Sequence, residues 1–255
     1  MFLPLQIKAL GVLLFAAGIS IAHADDAADF LAGQSRACVK CALVAAQLKQ
    51  KDLSGADLTG ADLSRAVMHR AKLGGANLNG ANLTDANLNK TDLKTASLVG
   101  AKAENAMFYG SNLSAADLSG ADLVDAKMQT AFLIRAKLDH AKISDALLTE
   151  ARLDDATLQG ADLSRTNLVQ ASLRRANLAG ADLDNAGLVN AVLRDANLKG
   201  TKLTQADLYG ADLSGADLAG ADLSGARLTG AILTGAIMTG VKLSGTLMPD
   251  GSVHD

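Results

Sequence analysis

Apolar residues occupy every fifth position from Leu53 to Met248, which makes 40 consecutive pentads without insertion or deletion. A small residue, nearly always Ala, lies two positions before each of them except Leu53, where Lys51 takes this position, and Asp or Asn is common between the two. Residues two apart point to the same side of an extended chain, so Ala and Leu face inwards and the residue between them faces outwards. A period of five fits neither an α-helix nor a long strand, since their side chains repeat every 3.6 and 2 residues.

Each pentad ends in a predicted turn. Ser or Thr followed by Gly closes many of them, most regularly in residues 211–225 (ADLSGADLAGADLSG), and Gly supplies a positive φ where a turn needs one. Four such corners close a square in 20 residues, and coils that stack by backbone hydrogen bonds at about 4.8 Å each give a rod of roughly 48 Å. The pattern predicts an all-β solenoid of about ten coils.

This repeat, Ala-Asp/Asn-Leu-Ser/Thr-Gly, resembles the pentapeptide repeat family over residues 52–248, and plausible copies start at residue 41. The resemblance implies a right-handed quadrilateral β-helix whose interior is filled by the central Leu and by the Ala two positions before it. We divide the chain into residues 1–24 (signal peptide), 25–50 (a short, helical N-terminal cap), 51–248 (the β-helix) and 249–255 (a C-terminal tail).

Two neighbouring pentads depart together from the interior pattern. Ala103 takes the place of a central Leu and Phe108 occupies the next central position. A Leu-to-Ala change in a core leaves a cavity that costs about 2–5 kcal/mol when nothing fills it. We therefore predict that the larger ring of Phe108 compensates for the missing side chain at Ala103.

The N-terminus has the features of an export signal. Lys8 precedes a run of 14 apolar and small residues (9–22), and Ala22-His23-Ala24 fits the small-x-small cleavage pattern. We expect cleavage after Ala24, a protein in the periplasm or secreted, and no membrane attachment of the mature chain; an uncleaved anchor is the alternative. Export to an oxidising compartment also favours disulfide formation.

The only two cysteines, Cys38 and Cys41, form a CxxC pair within the cap. A structural disulfide is the preferred interpretation, and the alternatives are two buried thiols, a thiol–disulfide exchange role and a metal site. A metal site lacks a plausible four-ligand set, because the histidines of the mature chain lie far away. Residues 38–50 also continue the five-residue register, so they are either a degenerate first coil or a capping helix.

Outward positions on one side of the predicted rod collect arginines. Residues 20 apart stack on the same side, and this rule groups Phe132, Arg135, Arg152, Arg174, Arg175 and Arg194, with several aspartates among them. Arginine and aromatic side chains are the usual anchors of protein interfaces. We take these six as the candidate partner-binding residues; a solvated face with weak ion pairs is the alternative.

Charge and composition narrow the function. The formal net charge of −3 and the lack of a basic domain argue against nucleic acid as a partner, and no catalytic set, metal site or cofactor motif is visible. We predict a non-enzymatic scaffold or protein-binding module without a cofactor. The alternatives are a DNA-mimicking topoisomerase-binding protein, which the family resemblance implies for some members, and a periplasmic thiol–disulfide role. The short tail after Met248 leaves the last coil uncovered, which predicts a homodimer through the C-terminal coil.

Overall fold

The computed structural model describes residues 21–255 and contains few regular elements. Helix α1 spans Ile21–Leu31, strand β1 spans Thr246–Leu247 and strand β2 spans Val253–His254. Between the helix and β1 the chain consists of turns joined by isolated β-bridges. The predicted signal peptide, residues 1–24, falls largely outside the described residues. No helix in the described part of the chain is long and apolar enough to cross a membrane.

Parallel bridges connect every outward residue to the residue 20 positions later, from Ala37 to Leu247. In a typical step, Leu58 donates from its backbone N–H to the carbonyl of Asn77 (2.7 Å), and Asn77 donates to the carbonyl of Ala56 (2.9 Å). One turn of the chain therefore takes 20 residues, as four five-residue sides require. The ladder already includes residues 37–50, so this stretch is coil and the separate cap is shorter than the predicted 25–50.

The corners are β-turns with one repeated geometry. Ala61 donates to the carbonyl of Leu58 (3.0 Å), and the residue before it, Gly60, has a φ of 64°. The same left-handed conformation occurs at 24 non-glycine residues, including the β-branched Thr95 and Thr130. The sequence interpretation assigned positive φ to glycines where needed; the structure requires it at every corner, because the stacked coils impose one backbone path on all of them.

The outward Asp and Asn residues have a structural task. Asp62 Oδ1 accepts the backbone N–H of Ser64 (3.1 Å), and Asp222 Oδ1 accepts both the N–H (3.1 Å) and the hydroxyl (2.6 Å) of Ser224. Such Asx-turns hold the residue two positions on in its turn conformation. This explains why aspartate is abundant in the repeat without forming catalytic pairs.

Gly80→Val is expected to lower the free energy of unfolding by about 1–2 kcal/mol, because a β-branched residue is strained at positive φ. Gly80 has a φ of 62°, and no atom lies within 4 Å of where a Cβ would stand, so the strain acts without a clash. Gly80→Asn is the matched control and should cost less, since Asn tolerates this conformation. Urea denaturation measures both; equal losses for Val and Asn would contradict this account of the corners.

The interior is a continuous column of Ala and Leu side chains, nearly all of them fully buried. Ala103 and Phe108 are both buried in it, on adjacent sides of one coil. Buried hydroxyls at Ala positions donate to backbone carbonyls: Thr91 Oγ1 to the carbonyl of Met68 (2.9 Å) and Ser111 Oγ to that of Leu88 (2.6 Å). These bonds satisfy polar atoms that would otherwise be costly to bury.

The N-terminal end of the column is covered. Phe30, near the end of α1, is buried against the core. Arg36 donates from Nη1 to the carbonyls of Ser54 (3.0 Å) and Asp52 (3.5 Å), which face away from the next coil. Phe30 thus covers part of the apolar core at this end, and Arg36 satisfies two carbonyls of the first coil's free edge.

Within the described residues, the last coil is only partly covered. β1 and β2 pair antiparallel, and Pro249 lies in the connection between the two strands. This hairpin covers one corner only. The inward side chains of Leu233, Met238 and Leu243 are part-exposed, and their N–H groups have no backbone acceptor in the described chain.

Candidate functional site

The six residues predicted to bind a partner do lie on one side of the rod, which we call the arginine face. Parallel bridges join Phe132 to Arg152, Arg152 to Ser172, and Ser172 to Val192, so their coils are consecutive. Because the bridges hold these backbones in register, the arginines are displayed at the coil spacing of about 4.8 Å. All six predicted side chains are exposed: Phe132, Arg135, Arg152, Arg174, Arg175 and Arg194.

Asp154 lies at the centre of the arginine face and is only 8% exposed. Its carboxylate accepts the hydroxyl of Ser172 (2.5 Å) and the backbone N–H of Arg174 (3.3 Å). It also pairs with the guanidinium groups of Arg152 (3.6 Å) and Arg174 (3.8 Å). Asp154 thus orients two arginines from adjacent coils. The sequence placed it among the arginines without assigning this role, because its depth depends on how the next coil covers it.

The corner of the arginine face carries an alternating column of charges. Arg175 donates two parallel hydrogen bonds to Asp155, both of 2.7 Å. These bonds, with a smaller contribution from the charge of Arg135, hold the pKa of Asp155 below its usual value. The pair therefore stabilises the fold above the ordinary carboxylate pKa and loses this contribution as the pH falls below it. At neutral pH both members of the pair are therefore charged.

Two side chains on this face remain able to contact a partner. Arg135 forms no ion pair with any described residue, and the ring of Phe132 is 39% exposed. The guanidinium of Arg152 lies 5.9 Å from the centroid of that ring, and Arg194 pairs with Asp212. The face combines oriented guanidinium groups with an exposed aromatic ring, which suits recognition of a protein surface.

Another side of the rod carries a surface that sequence reasoning did not identify as basic. Its outward positions from 47 to 147 hold no carboxylate, and four of them are exposed cations: Lys49, Arg70, Lys90 and Lys127. We call these four residues the basic strip. Tallying charge separately for each of the four sides would have revealed the strip.

Cys38 and Cys41 occupy two ends of one corner of the first coil. Their sulfur atoms are within bonding distance of each other, and both residues are fully buried. The turn between them has Cys41 donating to the carbonyl of Cys38 (3.4 Å), with Lys40 at a φ of 55°. Thiol–disulfide exchange requires a sulfur that an attacking thiolate can reach. This placement favours a structural pair over a redox role.

Within residues 21–255, no cluster of His, Cys, Asp or Glu is arranged to hold a metal ion. Every buried side-chain nitrogen or oxygen in that range has a hydrogen-bond partner. The repeat therefore uses its buried polar groups to hold the coils together.

Comparison with known protein families shows to which family the chain belongs. The family model for pentapeptide repeats matches it in eight overlapping copies, at residues 41–80, 76–114, 96–133, 116–155, 131–170, 151–188, 171–210 and 206–245. The chain is a pentapeptide-repeat protein. Its family implies a right-handed quadrilateral β-helix, which agrees with the 20-residue ladder. Pentapeptide-repeat proteins are generally non-enzymatic structural or binding proteins.

Solved structures of other pentapeptide-repeat proteins are similar to this one. HetL from the cyanobacterium Nostoc sp. strain PCC 7120, described as involved in heterocyst differentiation regulation, is 35% identical, with 89% of this chain and 97% of HetL covered and a TM-score of 0.42. QnrB1, a plasmid-mediated fluoroquinolone resistance protein, is 24% identical over 56% of this chain and 84% of its own, with a TM-score of 0.31. A protein from the Arabidopsis thaliana thylakoid lumen is 27% identical over 48% and 71%, with a TM-score of 0.29. No curated protein gives a significant match to the chain.

Proposed function

We propose that this pentapeptide-repeat protein is an exported, non-enzymatic rod of about ten coils, capped by α1, that binds a protein partner through the arginine face. The observation that carries the proposal is the arrangement around Asp154, which pairs with Arg152 and Arg174, while Arg152 also lies over the exposed ring of Phe132. Side chains oriented in advance lose less conformational entropy on binding. A stack of bonded coils also supplies a rigid support for them.

DNA mimicry is less well supported. A mimic needs a continuous negative surface, whereas the arginine face and the basic strip both interrupt the negative charge of the rod. A periplasmic thiol–disulfide role is also less well supported, because both sulfurs are buried.

We propose that Cys38 and Cys41 form a disulfide after export. The bond would close the first corner beneath α1, where a frayed coil would otherwise expose the core. The loop is short, so the expected stabilisation is about 2 kcal/mol in the chain-entropy model. Intact-mass measurement without reductant should show the loss of two hydrogens; a mass equal to that of the reduced protein would contradict the proposal.

Affinity capture from periplasmic extract tests the arginine face. The variant Arg135→Glu/Arg152→Glu/Arg175→Glu should lose partners that the wild type retains, since reversed charge opposes the oriented guanidinium contacts. The matched control is Lys137→Glu/Lys142→Glu/Lys199→Glu, which makes the same change in net charge on other sides of the rod. Circular dichroism confirms that each variant is folded. Equal capture by both variants would contradict the proposed surface.

A further inference from the structure

The cations that form ion pairs within the described chain all lie in one half of the rod. All eleven Lys and Arg residues from Lys137 to Lys242 pair with an aspartate within 4.0 Å. Among described residues, none of the twelve from Arg36 to Arg135 does so. Residues 36–135 contain nine Asp and Glu against these twelve, whereas residues 136–255 contain fifteen against eleven. Residues 36–135 therefore carry three more cations than carboxylates, and none of these cations forms an ion pair with a described carboxylate.

The basic strip concentrates this positive charge. Lys49, Arg70 and Lys90 occupy outward positions of successive coils, and Lys127 follows two coils later. Hydrogen-bonding amides separate them, at Gln50, Asn87, Asn89 and Gln129. Adjacent coils lie about 4.8 Å apart, so the strip is roughly 19 Å long. An extended peptide of about six residues has this length.

The strip is also narrow. The corner beside it on one flank carries Asp85 and Asp125, and the flank on the other side carries Asp92. A DNA duplex or an anionic membrane would extend over these carboxylates as well as over the cations, and like charges at such distances repel. A single extended chain is narrower, so it can follow the cations and meet fewer of the flanking carboxylates.

A groove of about 420 Å³ adjoins the strip where Gly110 leaves the corner without a side chain. Lys90 and the ring of Phe132 line it, together with Asp92 and Asn112. The ring of Tyr109 next to it is 47% exposed. Exposed aromatic rings beside a cation provide a place for an apolar side chain of a ligand that is otherwise acidic.

We propose that the basic strip binds an extended acidic segment of a partner protein, about six residues long, with one apolar side chain seated beside Gly110. The proposal rests on the proposed role of this rod as a protein-binding module, and it adds a second surface on a different side from most of the arginine face. Binding is electrostatic in origin and weakens as the salt concentration rises.

Fluorescence anisotropy with a labelled octapeptide of glutamates and one central leucine tests the proposal. The wild-type protein should bind it at low salt, and Arg70→Glu/Lys90→Glu should weaken binding by about tenfold or more. The matched control is Lys40→Glu/Lys102→Glu, which reverses two cations that also lack ion pairs but lie on other sides. This control should stay within about twofold of the wild type, because the charge change is the same and only the place differs.

Three results would overturn the proposal: no binding of the peptide by the wild type, equal weakening by both variants, or tighter binding of a short DNA duplex or of phosphatidylglycerol vesicles than of the peptide. The affinity capture with the arginine-face variant tests the other surface, independently of the peptide assay. Failure of the peptide assay with successful capture would refute the basic strip alone and leave the arginine face standing.

Discussion

Replacing Phe108 with alanine is expected to lower the free energy of unfolding by about 3–5 kcal/mol, the largest single-residue effect we predict. Phe108 is fully buried on the side of the coil next to Ala103. Removing the ring would place two alanines at successive central positions, where the repeat otherwise provides two large side chains. Equilibrium denaturation in urea measures the change.

A milder substitution tests whether Phe108 fills the space left by Ala103 or only adds buried volume at its own position. Phe108→Leu restores the usual residue but should still lower the melting temperature more than Met128→Leu, because Ala103 leaves space that leucine does not reach. Ala103→Leu in the Phe108→Leu background should recover the loss, since both central positions then match the repeat. Equal effects of Phe108→Leu and Met128→Leu, or no recovery in the double variant, would show that the two positions are independent.

Met238→Asp is expected to raise the dissociation constant of a homodimer by about a hundredfold. We propose that two copies associate through the open C-terminal coil. Its unpaired N–H groups, among them those of Leu233 and Met238, alternate with carbonyls that no backbone N–H approaches, such as that of Ala236. An edge with both donors and acceptors can pair with a second copy of itself across a two-fold axis. A carboxylate buried in that contact costs about 3 kcal/mol.

Thr239→Asp is the matched control for this dimer. It adds the same charge in the same coil, but Thr239 lies at an exposed outward position. It should therefore leave association nearly unchanged. Sedimentation velocity over a range of concentrations measures both. A wild-type protein that stays monomeric throughout, or two variants that behave alike, would refute the end-to-end contact.

Sequence reasoning reached the arginine face because the repeat has no insertions. With a fixed period, residue 132 must stack on residues 112 and 152, and the bridges place it there. The same 20-residue stacking rule reveals the basic strip when the charged residues are counted separately for each side of the rod. The start of the ladder at Ala37 was harder to predict, because Lys51 at an Ala position argued against coil and its exposure is tolerated only at the end of the stack.

The sequence by itself determined the fold of this pentapeptide-repeat protein: the five-residue period sets which side chains fill the interior and which residues share a side. Only the tertiary structure decided which charged side chains are buried or form ion pairs, and which parts of the terminal coils are covered. It showed that Asp154 is buried between two arginines, that the cations from Arg36 to Arg135 form no ion pair with a described carboxylate, and that Phe30 is buried against the first coil whereas the inward side chains of the last described coil are part-exposed. These features depend on the distances between side chains of neighbouring coils. The five-residue period specifies which residues share a side of the rod, but it does not specify those distances.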